Sequence, residues 1–200
     1  MGPPPALGPP SPHESTPRIT EVLADVPPGV DPSRDGRRDA IGDEFVELVN
    51  PGPFPIDLTG WELRGGGASF RFPAFSLPGG SYVVCFNGWH QSWVGPVGDD
   101  EIGPAGPNPR FGDAWVFTMR RGRRGFANDG GEVTLHDAGG GLVDRLAWDG
   151  TVHDRSLVPG PTGEAIAHPP GPGRVGCSPG ERTPDGMADQ AQRDDRDRTP

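Results

Sequence analysis

From Glu44 to Asn50 the side chains alternate, with Val46 and Leu48 on one face and Phe45, Glu47 and Val49 on the other. A period of two belongs to a β-strand, and the mixed second face predicts two sides that are differently solvated. The same pattern predicts strands at Arg18–Ala24, Ser69–Phe72, Ser81–Asn87, Trp115–Met119, Glu132–His136, Leu142–Trp148 and Ser156–Val158, with a corner at Trp61–Arg64. Turn chemistry separates them. Asn50-Pro51-Gly52-Pro53 stops the strand at 44–50, because neither proline can donate to a ladder. At Asp57-Leu58-Thr59-Gly60-Trp61, Asp57 bonds its own downstream backbone, Gly60 makes the bend and Trp61 carries a large ring inward. Leu77-Pro78-Gly79-Gly80, Asn128-Asp129-Gly130-Gly131 and Asp137-Ala138-Gly139-Gly140-Gly141 are further turns. No helix of any length and no internal repeat is expected. Short strands at this spacing predict an all-β sandwich.

Taken in order, these pieces resemble the lamin tail domain. The resemblance rests on Ile19–Asp25, Asp43–Asn50, Asp57-Leu58-Thr59-Gly60-Trp61, Phe72-Pro73, Leu77–Gly80, Val83-Val84 and the late hairpin Asn128–Leu135. It implies an immunoglobulin-like β-sandwich of the bacterial type running from about Arg18 to about Gly180. It also implies a non-catalytic interaction or structural module with protein partners, often extracellular or on the cell surface. The expected organisation is a disordered Pro-rich leader over 1–17, the sandwich over 18–180 and a disordered charged tail over 181–200.

Composition changes this picture little. The 33 glycines and 27 prolines gather at the ends and in the loops, which leaves an ordered middle. A net charge of −10 argues against non-specific attraction to nucleic acid or to an anionic membrane surface. No run of residues reaches the length of a membrane span, and residues 1–17 lack the basic start and apolar core of a signal peptide. The two cysteines, Cys85 and Cys177, allow one bridge, and Cys85 in its strand reads as a buried free thiol.

Four stretches carry candidate chemistry. In Asp31-Pro32-Ser33-Arg34-Asp35-Gly36-Arg37, oxygen ligands at every second position before a glycine resemble the front half of a calcium loop. Asp31, Ser33, Asp35, the Arg37 carbonyl and Asp39 would ligate Ca2+, with Asp43 or Glu44 closing the shell in place of the missing glutamate at Gly42. Arg34, Arg37 and Arg38 put positive charge beside that cation, and a solvated turn is the competing reading. Arg120, Arg121, Arg123 and Arg124 form a local anion-binding cluster suited to carboxylate or phosphate. Nucleic acid is disfavoured there by the whole-chain charge, and an exposed loop or an internal partner for the acids is expected. The long stretch Gly88–Gly125, with Trp89 and Trp93, is the expected contact surface, since binding residues favour loops on a rigid scaffold. Glu21 and Glu47, mid-strand on neighbouring strands, are expected to face solvent or to pair with arginines such as Arg64 or Arg71, with acid/base work as the alternative. The alternative function is a metal-dependent hydrolase or nuclease, or an accessory domain of one, for which the sequence offers only the metal half.

Overall fold

The computed structural model describes residues 16–90, 98–99, 102–150, 153–169 and 176–181. The chain forms β1 (Arg18–Leu23), β2 (Phe45–Val49), β3 (Ile56–Asp57), β4 (Glu62–Gly65), β5 (Ala68–Arg71), β6 (Ser76–Leu77) and β7 (Tyr82–Phe86). It continues through β8 (Gly98–Asp99), a 3-10 turn at Pro109–Phe111, β9 (Trp115–Thr118), β10 (Gly130–His136), β11 (Leu142–Asp149), β12 (Leu157–Pro159) and β13 (Ala165–Ala167). A seven-stranded sheet in the order β13-β12-β1-β2-β7-β9-β8 faces a four-stranded sheet in the order β11-β10-β4-β5. The strands β3 and β6 pair as a small clip at one end. In the large sheet β9 runs parallel to β7, which a tight hairpin cannot achieve, and the crossing chain at 87–114 makes the return.

Between the sheets lie Ile19, Val22, Val46, Leu48, Val83 and Cys85 from one side and Leu63, Phe70, Val133, Leu135, Leu146 and Trp148 from the other. Phe70, Phe72 and Phe75 each meet Phe117 edge to face in this layer, with Phe72 and Phe117 centroids 5.4 Å apart and Phe75 and Phe117 5.0 Å apart. Such contacts add about 1 kcal/mol each beyond the area they bury.

The outer face of the large sheet departs from the expected solvated row. Leu23, Phe45, Val84, Phe86 and Val116 point outward there and are covered by Val26, Phe111 and Ala114 from the connecting segments. Phe45 and Glu47 are therefore as buried as Val46 and Leu48. The sheet is packed on both faces, and the alternation from 44 to 50 separates two interiors.

The turn chemistry follows the residues. Asn50, fully buried, donates from Nδ2 to the carbonyls of Phe54 (2.8 Å) and Leu77 (3.0 Å), while its Oδ1 accepts the Gly52 amide. This one side chain fastens the end of β2 to the turn before β7. Asp57 accepts the Thr59 amide at 2.9 Å, and Gly60 sits at φ +77, where only glycine is unstrained. From Pro159 the prolines and glycines of the sequence predict an irregular arm, and the structure differs. The segment folds into a hairpin in which Val158 faces Ile166, and the turn is closed by Gly160 donating to the Glu164 carbonyl at 2.7 Å. The proline and glycine there mark the hairpin's turn rather than the end of the fold.

Candidate functional site

The acidic loop between β1 and β2 binds its own backbone. Asp31 accepts the Gly36 amide at 2.7 Å and the Ser33 hydroxyl at 3.1 Å. Asp35 accepts the Arg37 amide at 2.8 Å. Asp39 accepts the amides of Ile41 and Gly42 at 2.9 and 2.8 Å. Burial opposes ionisation of Asp39, but the Gly42 and Ile41 amides outweigh it and hold the carboxyl below its usual value. Asp43 is buried and accepts the Asp39 amide at 2.8 Å. Arg38, although exposed, donates to the carbonyls of Pro27 and Val26. The Glu44 carboxyl leaves the loop altogether and accepts the Phe126 amide at 3.0 Å. Among the described residues no group of three or more His, Cys, Asp or Glu side chains gathers as a metal site would.

Glu44 meets the second candidate stretch. Arg121 turns inward, donates to the Gly65 carbonyl and lies 4.5 Å over the Phe126 ring. Burial pushes the Glu44 carboxyl up to about 8, against the pull of the Phe126 amide, Arg121 and Asn87. Burial also lowers the Arg121 guanidinium from its ordinary value, against the pull of Glu44. Arg121 is thus drawn inside onto the Gly65 carbonyl and the Phe126 ring, where its charge acts on a buried acid, and only the other three arginines are at the surface. Arg120, Arg123 and Arg124 are exposed. The Arg123 guanidinium lies 5.2 Å over the half-buried Trp89 ring, and the exposed His90 ring is 4.1 Å from that indole. Trp93, expected on the same surface, falls outside the described residues.

The largest correction concerns Glu21 and Glu47. They stand directly opposite each other on β1 and β2, and both are buried, at 0% and 1% exposure. A bulge at Thr20 shifts the register between Ile19 and Glu21, so Ile19 and Val22 share the inner face and Glu21 is sent outward. Neither acid reaches solvent, Arg64 or Arg71. Arg64 pairs instead with Glu62 at 2.7 Å. Glu21 Oε1 accepts the Ser178 amide at 2.9 Å and lies 2.5 Å from the Ser156 hydroxyl, while Oε2 is 3.0 Å from the Ser178 hydroxyl. Glu47 Oε2 accepts the Gly180 amide at 2.7 Å, and Oε1 is 2.6 Å from the Thr20 hydroxyl. Burial raises Glu21, opposed by the Ser156 and Ser178 hydrogen bonds and by His168. Burial and then the charge of Glu21 raise Glu47 well above the carboxylate range. The period-two pattern could not reveal the bulge, and the partners Ser156, Ser178 and Gly180 lie 133 to 157 residues further along the chain.

Cys85 packs in the layer between the sheets and Cys177 against the outer layer, and both are free thiols. A cavity of about 210 Å³ lies beside Cys177 and Ser178, walled by Asp31 and by Arg34, which pairs with Glu181 at 3.2 Å. It is small beside the usual few hundred Å³ of a small-molecule site.

Two facing sheets with an all-β connection order, a tryptophan at the inner layer and turns at both poles define an immunoglobulin-like β-sandwich. The family profile described as Lamin Tail Domain matches residues 10–150, and the chain belongs to that family. The match ends before β12, β13 and the segment 176–181. No curated protein matches the chain.

Proposed function

We propose that the chain is a non-catalytic interaction module that binds an acidic segment of a partner protein through Trp89, His90 and the exposed arginines of the 120–124 turn. The observation that carries this reading is the Arg123 guanidinium held 5.2 Å over the Trp89 ring, with Arg120 and Arg124 exposed beside it in sequence. Tryptophan and arginine are the residues over-represented where interfaces concentrate their energy. A guanidinium on an aromatic face also presents its fork to a carboxylate with less ordering left to lose. The strongly shifted acids support the non-catalytic half, because Glu21, Glu44 and Glu47 each hold a backbone amide of the fold. A cell-surface or extracellular setting, implied by the resemblance, belongs to the same proposal. So does Ca2+ as a stabiliser of the Asp31–Asp43 loop, which rests on the ligand spacing alone; the ion would compete with the amides that now hold Asp31, Asp35 and Asp39.

The test is a titration of the full chain against a labelled glutamate-rich peptide, with duplex DNA of equal length as the comparison. The expected result is peptide binding that weakens with salt and falls about tenfold in Arg123→Ala and in Trp89→Ala, the loss of one contact worth about 1.4 kcal/mol. Peptide binding unchanged in both variants overturns the proposed surface, and tighter binding of the duplex overturns the protein partner in favour of nucleic acid.

A further inference from the structure

Gly176–Glu181 lies as a strap on the outer face of the large sheet. Its backbone is read at alternate residues, with the Ser178 amide on Glu21 and the Gly180 amide on Glu47. The Ser156 amide donates to the Gly176 carbonyl at 2.7 Å, which fixes the strap's near end. At the far end Gly180 has φ +78, and a Cβ there would stand 2.0 Å from the Phe111 carbonyl oxygen. Glycine is therefore required by both conformation and space.

We propose that the strap is a proton-gated closure, seated while Glu47 carries a proton and released when Glu47 and Glu21 are both ionised. Glu47 has few polar contacts to set against its burial beside Glu21: Oε2 accepts the Gly180 amide and Oε1 accepts the Thr20 hydroxyl at 2.6 Å. The groups that face Glu47 are Glu21, Thr20 and the Gly180 amide, and none of them is a cation. Glu21 is better provided. Across the Ser178 hydroxyl it faces His168, whose Nε2 is 2.9 Å from that hydroxyl and whose Nδ1 is 2.7 Å from the Pro169 carbonyl. Glu47 has no such histidine among the groups that face it. Two charges directly opposite on paired strands repel, and burial leaves no solvent to screen them. On the strap itself, Arg34 holds Glu181 at 3.2 Å, while burial, Glu21 and Asp43 raise the Cys177 thiol against the pull of Arg34. For both glutamates the folded-state value lies above the unfolded one, so their stabilisation is present at low pH and lost as pH rises.

The two cysteines report the outcome. Cys177 rides on the strap, and Cys85 in the inner layer reacts only when the whole domain opens. Thiol exchange with dithiodipyridine is followed from pH 5 to pH 9, each cysteine being mapped by mass spectrometry. Each rate is divided by that of the denatured chain at the same pH, which removes the reagent's own pH dependence. The expected result is a fall in Cys177 protection of about tenfold or more, the effect of one unit of differential ionisation, while Cys85 stays protected. Glu47→Gln, an isostere of the neutral acid, is expected to keep Cys177 protection flat across the range. Flat wild-type protection, a parallel fall at both cysteines, or a wild-type slope in Glu47→Gln each overturns the gate. Should Glu47→Gln fail to fold, the comparison of the two cysteines in the wild-type chain decides alone.

Discussion

Glu44 shows how a residue's place along the chain leaves open where its carboxyl goes. Its spacing after Asp31 and Asp35 suggests a ligand that closes a cation shell, yet its carboxyl crosses to the Phe126 amide and lies beside Arg121. Its folded-state value of about 8 exceeds the ordinary 4.5, so the neutral form is the one the fold prefers. The stabilisation is present below the unfolded value and fades as pH rises between about 4.5 and 8. Urea unfolding at pH 5 and pH 9 is therefore expected to show a less stable protein at pH 9. Glu44→Gln should flatten part of that slope, and Glu44→Ala should cost about 1–3 kcal/mol at pH 5 by orphaning the Phe126 amide. Equal pH dependence in wild type and Glu44→Gln would show that the carboxyl ionises freely.

Among the elements, the strands with simple alternation were legible. The strands β2, β7, β10 and β11 fall within a residue or two of their expected bounds, because hydrophobic period and turn residues agree there. The pattern missed β13, whose three residues follow a Pro/Gly run, and β8, whose two residues leave no period to detect. It also mistook the outer face, since a side chain buried under a loop looks in sequence like one buried under a sheet. The acidic loop belongs to this scale as well. Its carboxylates cap its own amides, so Asp39→Ala is expected to cost about 1–2 kcal/mol in EDTA, through the lost Ile41 and Gly42 bonds. Thermal unfolding of the wild type in millimolar calcium, at ionic strength matched to EDTA, examines the proposed ion in the same series. A rise of several degrees that Asp35→Ala abolishes supports it, because a ligand of the folded state alone must stabilise. Superimposable curves remove it.

At the scale of the molecule, the family match and the folded unit differ in extent. Residues 10–150 carry the match, while β12 completes the far side of β1, β13 completes β12, and the strap satisfies two buried acids. A chain ending at residue 150 would leave Glu21 and Glu47 without their amide donors and the unpaired side of β1 open. It is expected to lose cooperative thermal unfolding and to elute as aggregate in gel filtration, whereas a chain ending at 181 should match the full length. A cooperative, monomeric chain ending at 150 would show that the later elements are ornament. The candidate contact surface was legible only as far as its residue types were. Trp89 and Arg123 could be named from sequence, but their stacking, and the withdrawal of Arg121 to a buried acid, depend on contacts between distant segments.

The order of the large sheet has one more outcome. Among the described residues its outermost members are β13, with three residues, and β8, with two, and Pro159 precedes the turn into β13. A broad sheet that ended on a long strand such as β1 would offer a row of open donors and acceptors to any passing chain. Tapering to short strands leaves little ladder for an incoming strand to find register at either edge of this sheet.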